Sequence, residues 1–171
     1  MTLDAQESSA QGVLTQLQTL VTELGAKSIG CYLSTVDEPP TRAFIEWALE
    51  QEMEVLLPIS RDDGLLDWAH FSVGDEGVDH LGMPIPLGDL LGPVAIDTVD
   101  VLVVPASLVD RDGMRMGWGR GYFDRTLGSM GHRPPVFAVV YDHEVVDSVP
   151  RETHDQPVDG VVTPSGIIRF Q

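Results

Sequence analysis

The 171 residues predict an α/β fold, a three-layer sandwich with a mostly parallel, Rossmann-like central sheet. Three observations carry this expectation. The short apolar runs SIGCYLS (28–34), EVLLP (54–58), DVLVVP (100–105), VFAVVY (136–141) and GVVT (160–163) are continuously hydrophobic rather than alternating. Strands of that kind are buried on both faces, as in parallel sheets. Segments with helical periodicity fall between them, which is the order of a layered α/β domain. Finally, a glycine-rich stretch downstream of one strand opens into a helix start at Tyr122-Phe123-Asp124-Arg125.

Taken in order, Leu14, Leu17, Leu20, Val21 and Leu24 recur at helical spacing and predict an amphipathic helix over residues ~10–25. Gly25 ends it. The run 28–34 is a buried strand, and Thr41–Met53 is a second helix with Phe44, Ile45, Ala48 and Leu49 inward. Strands follow at 54–58, 100–105, 136–141 and 160–163. Residues 60–97 are rich in Gly, Pro and Asp and hold Trp68, Phe71, His80, Pro84 and Pro86. They read as loops with a short hairpin folded over the sheet, an irregular stretch of the kind that often binds ligands. No repeat, low-complexity tract or linker interrupts the chain, so one domain over 1–171 is expected.

Composition excludes several functions. The formal charge is -17, from 27 Asp+Glu against 10 Lys+Arg. Nucleic-acid binding needs a basic footprint, which this chain lacks, and an anionic membrane surface would repel it. No apolar run reaches the ~18–20 residues that span a bilayer. The N-terminal MTLDAQESSAQG has neither the basic nor the apolar region of a signal peptide. The expected location is the cytoplasm and the expected state a monomer. Cys31 is the sole cysteine and sits in an apolar run, so it reads as a buried inert thiol with no disulfide partner.

The most informative stretch is Asp112–Leu127, DGMRMGWGRGYFDRTL. Gly113, Gly117, Gly119 and Gly121 alternate with Arg111, Arg115, Arg120 and Arg125, and five of the ten cations fall between Arg111 and Arg133. Glycine lets backbone approach a ligand closely, arginine offers a planar donor fork to phosphate or carboxylate, and a helix N-terminus favours anions. The stretch therefore reads as a polyphosphate-binding loop. The competing reading is a solvated loop whose arginines pair with Asp110, Asp112 and Asp124. It is not a Walker A, which needs GxxxxGK[ST]. Nor does it follow its strand closely enough for a dinucleotide fingerprint.

Other residues carry two readings each. Asp124, in the first turn of the helix, either offsets the helix dipole or ligates Mg²⁺ brought by a nucleotide. Asp155, in the His154-Asp155 pair, is the candidate second carboxylate. Trp118 and Tyr122 either stack on a flat heterocycle or pack against neighbouring loops. Glu38 is a helix-entry acid or a pocket carboxylate. His70, His80, His132 and His143 show no zinc-ligand spacing.

Together these residues resemble the 5-formyltetrahydrofolate cyclo-ligase, or methenyltetrahydrofolate synthetase, family. Its signature is similar to a strand ending in Pro, then Asp-x-x-Gly-x-Arg-Leu-Gly-x-Gly-x-Gly-Tyr-Tyr-Asp-Arg; here the stretch reads VVPASLVDRDGMRMGWGRGYFDR. Tyr32–Glu38 is similar to the family's Tyr-Leu-Ser-x-x-x-Glu element, and His154-Asp155 with VDGVVT to its later His-Asp and strand. The resemblance runs from about residue 28 to 168.

The resemblance implies MgATP-dependent conversion of 5-formyltetrahydrofolate into 5,10-methenyltetrahydrofolate, with ADP and phosphate released after the formyl oxygen attacks the γ-phosphate. It implies ATP contacts at Arg115, Met116, Gly117, Trp118, Gly119, Arg120, Gly121, Tyr122 and Phe123. Folate contacts are implied at Leu33, Glu38 and Trp118 through Tyr122, Mg²⁺ at Asp124 and Asp155, and catalytic roles for Arg115, Arg120 and Tyr122. Three departures stand out. The family's N-terminal basic helix is expected to be missing, since the first cation is Lys27. Trp118 and Arg120 occupy positions where other residues are commoner, and Phe123 replaces the second tyrosine. The first departure motivates an alternative, a noncatalytic folate- or nucleotide-binding member of the same fold. A sugar-phosphate isomerase or acyl-CoA-type transferase would rest on fold analogy alone.

Overall fold

The computed structural model describes residues 1–170 except 73, 75, 79–81 and 83. His80 lies outside the described residues. Helix α1 spans Leu3–Leu24 and begins earlier than the apolar periodicity suggests. The Thr2 hydroxyl accepts the Ala5 N–H at 3.1 Å, capping a polar first turn that periodicity cannot register. Val13, Leu17, Leu20 and Val21 are buried, and Gly25 closes the helix at φ 62°. Strand β1 is only Ser28–Gly30. Cys31 still donates its N–H to the Leu56 carbonyl at 3.0 Å, and Tyr32 and Leu33 stay buried beyond the end of the strand. Thr41 Oγ1 donates to the Tyr32 carbonyl at 2.6 Å, and Ser34 and Thr41 exchange side-chain bonds to each other's N–H. Those bonds bend the segment toward α2, Arg42–Glu50, which buries Phe44, Ile45 and Ala48 and leaves Leu49 half-buried.

Strand β2 is Glu54–Ser60 and β3 is Leu66–His70. Then come β4, Glu76–Val78; β5, Pro84–Pro86; β6, Leu90–Leu91; and a 3₁₀ helix at Pro93–Thr98. Next are β7, Val101–Pro105; β8, Leu108–Asp110; β9, Arg115–Met116; and α3, Tyr122–Ser129. The chain ends with β10, Val136–Val139; β11, Val145–Val146; β12, Gly160–Thr163; and β13, Gly166–Arg169.

The central sheet has the order β13-β12-β10-β7-β1-β2-β3-β6. Its five middle strands run parallel, and β3, β6 and β13 add antiparallel edges. The reading of 60–97 as loops with one hairpin is thus corrected. β3 and β6 extend the main sheet, and β4 and β5 form a separate ribbon. The Asp63-Gly64 turn reverses the chain, with Gly64 at φ 88° and Arg61 N–H bonded to the Leu65 carbonyl at 3.0 Å. At the other edge β13 follows β12 directly, with Thr163 paired to Gly166.

Successive residues of each central strand feed two cores. Val55, Leu57, Val101, Val103, Phe137, Val139 and Val162 pack with α1 and α2. Leu56, Leu102, Val104, Val136, Ala138 and Val161 pack with the 3₁₀ helix, α3 and Val109 of β8. Both faces are covered, which explains the unbroken hydrophobicity of these strands. Among the described residues no helix is long and apolar enough to cross a membrane.

Candidate functional site

A cavity of about 1060 Å³ opens at the carboxyl ends of β1, β2 and β7, where ligands of open α/β sheets gather. One wall is built by the hairpin β8–β9. Its turn is organised by Asp110, which is fully buried. Oδ1 accepts the Asp112 and Met114 N–H groups at 2.9 and 3.0 Å; Oδ2 accepts the Val149 N–H at 3.2 Å and Arg151 at 2.9 Å. Burial pushes the Asp110 carboxyl up, but those three N–H donors and the Arg151 charge outweigh it and hold it below the ordinary carboxylate value. Gly113, at φ 86°, completes the turn.

The hairpin delivers Arg115 to the cavity. Its side chain is only 3% exposed. Nη1 donates to the Pro105 carbonyl at 3.0 Å, Nη2 stands 3.8 Å from Asp124 Oδ1, and the guanidinium lies 5.6 Å from the Phe123 ring centroid. Nε is buried with no hydrogen-bond partner among the described residues. Burial pulls the guanidinium below its ordinary value, and the charges of Asp124 and Asp155 oppose that shift. Gly117 leaves room for this side chain, since a Cβ there would sit 2.9 Å from Nη1.

Residues 117–121 then run as a loop into α3, with Gly119 and Gly121 at φ 90° and 73°. Trp118 is 56% exposed, and Met116 and Arg120 are also at the surface of the cavity. The Tyr122 hydroxyl donates to the Arg61 carbonyl at 3.4 Å, so it is engaged with the β2–β3 turn. Asp124, in the first turn of α3, accepts the Gln156 N–H at 3.2 Å. Asp155 accepts the Glu152 N–H at 2.7 Å.

The reading in which the loop arginines pair with nearby aspartates is met in one place only. Asp110 and Asp112 are taken by Arg151, and Arg111 pairs with Asp147 at 2.9 Å. Arg115 faces Asp124. Among the described residues Arg120 and Arg125 have no carboxylate within 4.0 Å.

The opposite wall holds Leu33 and Glu38. Glu38 is 6% exposed. Its Oε1 accepts the Thr35 N–H at 2.8 Å, while its own N–H donates to the Thr35 carbonyl. Tyr32, beside them, has a buried hydroxyl without a hydrogen-bond partner among the described residues; burial and the Glu38 charge both push its acidity well down, so it stays a neutral phenol.

Every residue singled out for ATP, folate or Mg²⁺ from the sequence therefore borders one cavity. Sequence reasoning missed the wall formed by Pro58, Ser60, Leu65, Leu66 and Ile85, and also Gln156. The Asp63-Gly64 dipeptide was the available signal for the first group. Among the described residues no cluster of three or more His, Cys, Asp or Glu side chains could hold a metal ion by itself. The two aspartates suit an ion that completes its shell with phosphate and water oxygens, as Mg²⁺ does.

Fold and cavity define a class: a layered α/β protein with a small-molecule cavity at the carboxyl edge of its parallel strands. The model of the 5-formyltetrahydrofolate cyclo-ligase family matches residues 1–164, and the chain belongs to that family. It is 34% identical to a 5-formyltetrahydrofolate cyclo-ligase of Mycolicibacterium smegmatis over 155 residues, covering 87% of this chain and 80% of that protein. It is 28% identical to the Escherichia coli K12 protein of the same name over 171 residues, covering 98% and 94%. The NMR structure of Aquifex aeolicus 5,10-methenyltetrahydrofolate synthetase superposes with a TM-score of 0.82 at 25% identity, covering 100% of this chain and 86% of that one.

Proposed function

We propose that the chain closes the ring of 5-formyltetrahydrofolate to give 5,10-methenyltetrahydrofolate, consuming MgATP and releasing ADP and phosphate. The observation that carries this reading is Arg115: a buried guanidinium with an unpartnered Nε, set beside Asp124 under a glycine loop. A buried donor without an acceptor is costly in the free protein, and phosphate oxygens would satisfy it.

The cavity's volume of about 1060 Å³, at the upper end for small-molecule sites, supports a reading in which nucleotide and pteridine share it. Arg115 and Arg120 supply positive charge where phosphoryl charge would lie, and the loop's glycines let backbone N–H groups approach it. Asp124 and Asp155 would hold Mg²⁺. When bound, MgATP supplies a phosphoryl group able to convert the formyl oxygen into a leaving group. The protein's own task is to orient the formyl oxygen, keep N10 in reach and exclude water, which is catalysis by positioning and electrostatics. Glu38 accepts hydrogen bonds from pterin N–H groups through the oxygen that Thr35 leaves free. Leu33 packs against the ring, and Trp118 through Tyr122 lie between the two ligands.

The test is direct. MgATP and 5-formyltetrahydrofolate together yield the methenyl product, followed by its near-UV absorbance and by ADP release. Product no greater than the enzyme-free control overturns the reading.

A further inference from the structure

Arg125 is an arginine of the glycine loop to which the reading above gives no role. Its side chain extends from α3 to the β2–β3 turn. Nη1 donates to the Arg120 carbonyl at 3.0 Å and to the Gly64 carbonyl at 3.2 Å. The first acceptor belongs to the glycine loop and the second to the hairpin turn across the cavity wall. Gly64 makes room for the guanidinium, since a Cβ there would sit 2.7 Å from Nη1; Gly121 lies in ordinary contact range of it, with a Cβ 3.5 Å from the guanidinium carbon. Both glycines have positive φ, 88° and 73°.

The turn it reaches is itself cross-bonded. Arg61 forks onto Asp63 at 3.1 and 2.7 Å and bonds Asp67 at 3.0 Å; Asp63 also accepts the Leu65 N–H at 3.1 Å. The Tyr122 hydroxyl reaches the Arg61 carbonyl beside it. The backbone N–H of Arg125 donates to the Gly121 carbonyl at 3.1 Å, the first helical bond of α3, so the side chain springs from the first turn after the loop.

We propose that Arg125 is a positioning residue that couples the β2–β3 turn to the glycine loop, so that two walls of the cavity hold one spacing. The loop's glycines have wide conformational freedom. A loop that must present N–H groups to phosphate gains affinity when that freedom is removed before binding. Arg125 removes it by fastening the loop to a hairpin that belongs to the central sheet. Both bonds come from the single nitrogen Nη1, so a lysine ammonium, which also carries several donors, retains part of the link, and alanine retains none.

Two measurements test this on the full chain, and the second rests on the proposed nucleotide role. Backbone ¹⁵N relaxation is measured without ligand for wild type, Arg125→Lys and Arg125→Ala. The coupling predicts that Arg125→Ala lowers the order parameters of 61–65 and 117–121 together, from about 0.85 toward 0.6, and that Arg125→Lys lowers them less. Order unchanged at the turn overturns it. MgATP dissociation constants are then measured for Arg125→Ala, Asp63→Ala and the double variant. Arg125→Ala raises the constant about tenfold and Asp63→Ala several-fold, while the double variant is no weaker than Arg125→Ala alone. Full multiplication of the two effects means that Arg125 acts by direct contact, and the positioning role falls. Should wild type itself bind no MgATP, the function proposed above fails, and relaxation still decides whether the turn and loop are coupled.

Discussion

The two ends of the cavity are built by opposite means. The Glu38 end is local: Tyr32, Ser34, Thr35, Glu38 and Thr41 bond to one another within ten residues of chain, and the carboxylate is buried. The glycine-loop end is assembled from distant pieces. Asp110 needs Val149 and Arg151, Asp124 needs Gln156, and Arg125 needs Gly64. One end is a short, self-bonded bend that presents a single acceptor. The other is a flexible strand of glycines held in place from three sides. The difference matches what each end is proposed to bind, a rigid heterocycle at one and a chain of phosphates at the other. It also predicts that substitutions at the two ends will affect different kinetic constants.

The largest effect is expected at the glycine-loop end. Asp124→Asn keeps an oxygen to accept the Gln156 N–H but removes the charge that faces Arg115 and is proposed to hold Mg²⁺. It should lower kcat by about 10²- to 10³-fold, with little change in the Michaelis constant for the folate. Steady-state assays with each substrate varied in turn check this; activity within tenfold of wild type would remove Asp124 from the chemistry. Glu38→Gln is the counterpart at the other end. The amide oxygen still accepts the Thr35 N–H, so the bend survives, but a charged acceptor is lost. The folate Michaelis constant should rise about 10- to 100-fold and that for MgATP should stay within about twofold. If both constants move together, the two ends are not the separate subsites proposed.

Third comes a stability effect that isolates the long-range assembly. Asp110 titrates below its ordinary value in the folded protein. A group with a depressed folded value stabilises the fold fully above its unfolded value, near 3.8, and that contribution is lost as pH falls through the lower folded value. Thermal melts of wild type should therefore fall steeply below about pH 4. Asp110→Asn leaves Arg151 and one or more N–H groups poorly matched. It should cost about 3 kcal/mol at pH 7, or roughly 10 °C, and flatten the acid limb. A wild-type-like acid limb in the variant would assign acid sensitivity to other carboxylates.

The same contrast explains how much could be read from the chain. The parallel strands were legible because burial on both faces leaves an unbroken apolar run, as in Val101–Val104. Gly25 and the α3 start were legible because caps are local chemistry. β3 was not, since Leu66, Trp68 and Ala69 are buried while Asp67 and His70 are not, a mixed pattern in a polar, glycine-rich setting. The short β1 was misjudged because Cys31–Leu33 are as buried as a strand, while the Tyr32 carbonyl accepts from Thr41 rather than from a neighbouring strand. At the site, the motif residues stood out by type. The partners that hold them, Gly64, Val149, Arg151 and Gln156, are bound through backbone atoms or across dozens of residues, and residue identity gives no sign of such contacts.

The smallest expected effect concerns Trp118, the aromatic that projects from the glycine loop. Most of its ring is exposed in the free protein, and no hydrogen bond or aromatic partner fixes it among the described residues. Its removal should therefore leave the melting temperature unchanged, unlike Asp110→Asn. If the ring stacks on a bound heterocycle, Trp118→Ala loses about 0.5–1.5 kcal/mol of binding, a two- to tenfold weakening. Trp118→Phe, which keeps a flat face, should recover part of it. The two Michaelis constants then show which ligand the ring covers: a rise confined to MgATP places it over the nucleotide, and a rise confined to folate places it over the pteridine. A variant with both constants unchanged would show that the glycine-loop end recognises its ligand by backbone and charge alone, with no aromatic contribution at all.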